Sequence, residues 1–303
     1  MGRHTGIIAL LALAAATACS STPPTITPGP PTEDPLATET ATALAEPLTV
    51  EVLNTEVAVA FERVTFRILD RNGLPISTST EVEGVFHRVA ELSPEQQLAQ
   101  RVASGNAFYF GADMPSGGTW VVYSEFNASG TWWLEVFAKR GDWTGNGRGA
   151  LEVVARSGMP VAGDRAPETD TPSAAAGLAL DALTSDEQPL ADLYAQPLAD
   201  VLAAGRPAVV LFASPAHCED PACAVTLGQF KTAHANMGSR AAFLHVESRD
   251  LDDPAALSAT ARAWGLEGEP WTFVVDGRGF VSARVQGELS ASELQLLLDT
   301  LLR

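Results

Sequence analysis

Apolar and polar positions alternate with a period of two through the first half of the chain, whereas the second half carries unbroken apolar runs separated by amphipathic ones. In the first half Val64, Phe66 and Ile68 alternate with Thr65 and Arg67, and Asp70-Arg71-Asn72-Gly73 supplies a hairpin-type turn. Strands of the same kind are predicted over residues 81–89, 119–126, 131–138 and 149–154. One helix interrupts them, from Ser93 to Ala103, with Pro94 in its first turn. In the second half Gln196-Pro197 opens a short helix with Leu198, Val201 and Leu202 on one face, stopped by Gly205. A buried strand follows over 207–213. Asp220 and Pro221 then read as N-cap and first residue of a helix carrying Cys223, Val225, Leu227 and Phe230. A second apolar strand spans 240–247, and Asp253-Pro254 caps a helix that Gly265 ends after Trp264. Residues 269–276 and 280–285 form a strand pair about the turn Gly277-Arg278-Gly279, and Ser290 with Glu293 makes a capping box for a last helix through Leu294, Leu297, Leu298 and Leu301.

Short alternating strands at this spacing predict an all-β sandwich of immunoglobulin-like type over residues 47–155. Its aromatic residues Trp120, Tyr123, Phe126, Trp132, Trp133, Phe137 and Trp143 are expected to fill the core and the packing between domains rather than to line a ligand groove. The segment 142–147 lacks the ligand spacing and closing Glu of a calcium loop. Residues 156–177 are rich in Pro, Ala and Asp and read as a joint, which leaves 178–303 as a second, α/β domain.

The 303 residues carry 19 Lys and Arg against 37 Asp and Glu, a net charge of -18, which excludes nucleic acid as a partner. Arg3 and His4 precede an apolar run over 7–16 that is too short to span a bilayer but fits a signal peptide, residues 1–18. The small residues Ala16-Thr17-Ala18 before Cys19 resemble a bacterial lipobox, with Ala16 where Leu is usual. That resemblance implies lipidation of Cys19 and a protein anchored to a membrane on its extracytoplasmic face. Residues 20–46 hold Ser, Thr, Pro, Ala and acids with no Lys or Arg. They are expected to form a disordered tether that reaches on the order of 80 Å when extended.

Two cysteines remain, Cys218 and Cys223, and in an exported chain they are expected to form a disulfide. The order of elements around them resembles the thioredoxin-like superfamily, through Phe212-Ala213, the cysteine pair, Gly268-Glu269-Pro270-Trp271-Thr272-Phe273, Asp276 and Gly279. Val161-Ala162-Gly163-Asp164-Arg165-Ala166-Pro167 resembles the opening phrase of its redoxin members. The resemblance implies a cis Pro270 facing the cysteines and a substrate groove of His217, Glu269, Pro270 and Trp271.

Five residues along one helix separate Cα atoms by roughly 8.6 Å, and a disulfide tolerates at most about 7 Å. Cys218 is therefore expected in the loop before the helix, folding back onto Cys223. Three readings stay open. In a thiol-disulfide oxidoreductase acting on extracytoplasmic protein thiols or disulfides, Cys218 is the nucleophile, favoured by the helix N-terminus and His217, and Cys223 resolves. The carboxylates of Glu219, Asp220 and Glu269 work against that thiolate. In a binding or scaffold lipoprotein the disulfide is structural. Copper handling or peroxidase activity is the third. The copper chaperones of Sco type pair C-x-x-x-C with a distant His, one residue closer than here. A peroxiredoxin places Thr where this chain has Pro215, and no partner Arg is assignable. No cofactor and no metal is expected.

Overall fold

The computed structural model describes residues 45–77, 79–89, 101–112, 114, 117–218 and 221–302, with only the backbone of 101–104. The signal peptide, Cys19, nearly all of the tether, and Glu219 and Asp220 lie outside the described residues. Residues from Ala43 onward form one compact unit.

Among the described residues the first half holds ten strands: β1 (Glu46–Pro47), β2 (Thr49–Val52), β3 (Val57–Ala58), β4 (Phe61–Leu69), β5 (Glu81–Arg88), β6 (Arg101–Asn106), β7 (Phe108–Phe110), β8 (Thr119–Glu125), β9 (Gly130–Arg140) and β10 (Trp143–Val154). They make two sheets, ordered β1-β10-β9-β5-β6 with β3 beside β10, and β2-β4-β8-β7. Val64, Phe66 and Ile68 of β4 meet Val82 and Phe86 of β5 and Trp132, Leu134 and Val136 of β9 in one core. Phe126 stands edge-on to both Phe86 and Trp132. Of the helix expected over 93–103, residues 93–100 lie outside the described residues, and Arg101 to Ala103 belong to β6, paired with β5, because partners distant in sequence override local helix signals. Residues 143–147 open β10 in register with β9. Their glycines answer to packing, since a Cβ on Gly147 would lie 2.3 Å from the Leu48 carbonyl oxygen.

The second half contains α1 (Leu198–Ala203), β11 (Ala208–Phe212), α2 (Ala222–Met237), β12 (Ala242–Val246), α3 (Ala259–Ala263), β13 (Trp271–Val275), β14 (Val281–Gln286) and α4 (Ala291–Leu301). Its sheet runs β12-β11-β13-β14, with β12 parallel and β13 antiparallel to the central β11. Every residue of β11 is buried, as an unbroken apolar run implies for a strand covered on both faces. Val209 and Leu211 face α2 and α4, while Ala208, Val210 and Phe212 face α1 and Trp264. The cap of α3 differs from expectation. Ser258 accepts a hydrogen bond from the Ala261 amide, and Asp253 instead closes a turn at Ala256. A serine hydroxyl nearer the first helical residue captures the free amides.

Residues of the joint pack against this domain. Gly163 and Ala166 donate to Val281 and Gly279, Val281 donates to Asp164, and Met159 and Ala166 enter the core beside Trp264. Gly265, at φ +70°, lets the chain leave α3 where a Cβ would lie 2.1 Å from the Gly158 oxygen.

Polar side chains join the two halves. Arg63 of β4 binds Glu293 of α4 through Nε and Nη2 at 2.5 and 2.8 Å, and it also donates to the Gln286 and Glu288 carbonyls. Tyr123 donates to the same carboxylate at 2.6 Å. Arg284 of β14 reaches Glu62 at 2.6 Å, Glu56 at 3.0 Å and Ser157 at 2.8 Å. Ser290 caps α4 as expected by accepting from the Glu293 amide. The Glu293 side chain, however, spans the two halves instead of completing a capping box.

Candidate functional site

Ser214 ends the apolar run of β11 and is fully buried. Its carbonyl accepts from the amides of His217 and Cys218, closing a tight turn that delivers Cys218 to the start of α2. Pro221 is the N-cap and Cys223 the second residue of that helix. The two cysteines form a disulfide with Cα atoms 6.2 Å apart, the loop-to-helix geometry their spacing demands. Cys223 is buried in the core with Leu211, Leu227 and Val285, whereas Cys218 is half-buried at its edge. The pair therefore joins a half-buried cysteine at the core's edge to a fully buried one.

The loop after α3 brings Glu269 to the disulfide, and the Glu269–Pro270 peptide is cis. A Glu269 carboxylate oxygen lies within 4.8 Å of both sulfurs. His217 is half-buried and Pro270 buried. Trp271 is buried among the aromatic core residues, stacked on Phe273 and 5.5 Å beneath the Arg284 guanidinium. Arg249 was invisible to sequence reasoning. Its amide donates to Ser214 Oγ, and its Nε donates to Glu269 Oε1 at 2.7 Å, so one residue braces both the turn before Cys218 and the carboxylate beside it. No sequence spacing marks Arg249, because it comes from the loop after β12 and meets the site only through the fold.

A polar cluster lies beneath the turn. Glu247 Oε1 accepts from Thr184 Oγ1, the Ser185 amide and Ser185 Oγ, and Ser185 Oγ in turn accepts from the Ala216 amide. His245 sits beside it, fully enclosed. Its Nε2 faces the Ala213 carbonyl at 3.0 Å, an acceptor only, so Nε2 carries the proton and Nδ1 accepts from Tyr194 at 2.6 Å. Burial holds its pKa below the ordinary histidine value, with Glu247, the Ala213 carbonyl and Asp186 offsetting part of that and Lys231 adding to it. A folded-state pKa below the unfolded one means that the unfolded chain takes up the proton first as pH falls. Stability held above about pH 6.5 is then lost downward through the folded pKa. Urea unfolding of His245→Asn is expected to lack this component of the slope between pH 7 and 5. Equal slopes in variant and wild type would refute the assignment.

No family model matches this chain, and no curated protein does. Solved structures share partial likeness. A thioredoxin-family thiol:disulfide interchange protein from Chlorobium tepidum is 16% identical, with 46% of this chain and 96% of that one covered and a TM-score of 0.32. A thio-disulfide isomerase from Thermus thermophilus is 20% identical over 48% of this chain and 95% of that one, TM-score 0.22. The PKD domain of human VPS10 domain-containing receptor SorCS2 is 13% identical over 48% and 98%, TM-score 0.20. In the second half of this chain the strand order β12-β11-β13-β14, the cysteine pair opening α2 and the cis Pro270 agree with what its resemblance to thioredoxin-like proteins implies.

Proposed function

We propose that this chain is a membrane-anchored, extracytoplasmic thiol-disulfide oxidoreductase whose Cys218/Cys223 pair exchanges with protein thiols or disulfides. The observation that carries the reading is the unequal burial of the two cysteines at the start of α2, with the Glu269 carboxylate of the cis Glu269–Pro270 peptide beside their sulfurs. In the oxidising direction an incoming thiolate attacks Cys218 Sγ and the Cys218–Cys223 bond breaks, with the electron pair leaving on Cys223. The mixed disulfide is released when a second substrate thiol attacks the substrate sulfur and expels Cys218 as thiolate. Two substrate thiols become one disulfide, and the protein keeps the two electrons as a dithiol. The reverse sequence reduces a substrate disulfide. The positive end of the helix dipole at the start of α2 favours negative charge on the leaving sulfur. Half-buried His217 offers the contact to the partner backbone, and the enclosed Glu269 and Pro270 support it from beneath. An immunoglobulin-like sandwich that presents this domain at the end of a lipid-anchored tether completes the reading.

The test is catalysed reduction of insulin by a dithiol donor, with wild type, Cys218→Ser and Cys223→Ser. Cys218→Ser is expected to lose the activity and Cys223→Ser to accumulate mixed disulfide. A working pair should also have a reduction potential above about -300 mV, since structural disulfides lie below it. Equal activity in all three proteins would sink the oxidoreductase and leave a structural disulfide in a scaffold lipoprotein. The anchor has its own expected result: Cys19→Ala moves the protein from the membrane fraction to the soluble one. Unchanged fractionation would remove lipidation from the proposal.

A further inference from the structure

One oxygen of Glu269 is accounted for by Arg249, and the other is not. Glu269 Oε2 is buried with no hydrogen-bond partner among the described residues, on a side chain only 3% exposed. Leaving a buried acceptor in that state is unfavourable. The carboxylate lies beside the disulfide, one of its two oxygens and the two sulfurs all being within 4.8 Å of one another. In the oxidised state the sulfurs have nothing to give that oxygen, because neither carries a proton.

We infer that reduction of the disulfide opens a site for a thiophilic divalent cation of the zinc class, ligated by Cys218 Sγ, Cys223 Sγ and Glu269 Oε2. The inference rests on the reading above only in requiring that the pair can be reduced in the folded protein. A dithiol donor supplies two electrons and two protons, giving two thiols here and a disulfide on the donor. The cation then displaces both thiol protons to solvent and forms two metal–sulfur bonds and one metal–oxygen bond.

Geometry, charge and ligand chemistry converge on this occupant. Zinc–sulfur bonds of about 2.3 Å and zinc–oxygen bonds of about 2.1 Å place tetrahedral ligand atoms roughly 3.6–3.8 Å apart; a Glu269 oxygen already lies within 4.8 Å of both sulfurs, which move apart to that spacing once their bond is broken. Two thiolates and Glu269, offset by the Arg249 guanidinium on Oε1, leave two negative charges, which a divalent ion neutralises. Two soft sulfurs with one hard oxygen suit borderline zinc better than cuprous ion, which prefers an all-sulfur set. The half-buried side of Cys218 leaves the fourth position facing solvent. A cation there holds both sulfurs reduced and withholds them from exchange, so metal availability would govern the working state of the pair.

The full chain, reduced with a phosphine and freed of it without oxygen, is titrated with Co2+ and then Zn2+. One equivalent of Co2+ is expected to raise thiolate-to-cobalt charge-transfer absorption that Zn2+ abolishes, with no signal from the oxidised protein. Cys218→Ser and Cys223→Ser should lose the band. Glu269→Gln should bind about tenfold or more weakly, while Glu267→Gln, an exposed neighbouring acid, binds as wild type does. Circular dichroism of each variant confirms that weakened binding is not unfolding. Absence of the band in reduced wild type, equal affinity in Glu269→Gln, or a disulfide that resists the phosphine would each overturn the site. Insulin reduction by the same metal-free preparation separates the two proposals. Exchange without metal uptake removes the cation site alone, and metal uptake without exchange removes the oxidoreductase alone.

Discussion

Arg63→Ala is expected to lower the unfolding free energy by about 3–5 kcal/mol. Arg63 and Glu293 are 3% and 1% exposed, and the pair is bidentate. Burial alone would lower the Arg63 pKa, but the attraction and hydrogen bonding of Glu293, with Tyr123 behind them, leave it raised. Burial also pushes the Tyr123 hydroxyl well above its ordinary value, so it remains a donor to Glu293. Truncating Arg63 leaves that carboxylate enclosed with only the tyrosine hydroxyl to compensate it. The double variant Arg63→Met/Glu293→Leu removes both charges and is expected to recover most of the loss, because apolar side chains of similar volume replace a buried pair nearly without cost. Urea unfolding of wild type, both single variants and the double variant measures the cycle. A loss under 1 kcal/mol in Arg63→Ala would mean that water already reaches the pair.

Trp264→Ala is expected to cost a similar 3–5 kcal/mol, by a different route. The indole is fully buried between Phe212 and Phe273, with ring centroids 5.1 and 4.8 Å away, and its N–H meets Thr169 Oγ1 at 3.2 Å. Removing it empties the space beneath the sheet and frees the base of the loop that carries Glu269 and Pro270. Trp264→Phe, which keeps the ring contacts and loses the N–H, should recover most of the stability. Urea midpoints at fixed pH decide the matter, and a shift in Trp264→Ala no larger than in Trp264→Phe would show that packing is not what Trp264 supplies.

These two residues also show what the sequence made legible. Trp264 before Gly265 marked a helix end that the fold keeps, because an αL glycine is a local requirement. The strand alternation of Val64, Phe66 and Ile68 likewise located a core face. The same alternation was silent about Arg63 and Thr65, which are buried on the opposite face of β4 against the second half. A period of two separates the faces of a strand without saying whether the polar face meets water or another surface. The cysteine geometry was legible, since helix rise and disulfide reach are fixed quantities. Arg249 and the enclosed side chain of Glu269 were not, because their meeting depends on where two distant loops end. Ser258 took the cap expected of Asp253 for the same local reason that makes caps hard to place by composition.

The surface where the halves meet is built largely from Glu56, Glu62, Arg63 and Tyr123 on one side and Arg284 and Glu293 on the other. Before the second half packs against it, that flank of the first half presents charged groups rather than apolar surface. Docking then selects one mate by matching charges, and the penalty for stripping their water is met only when every partner arrives in place.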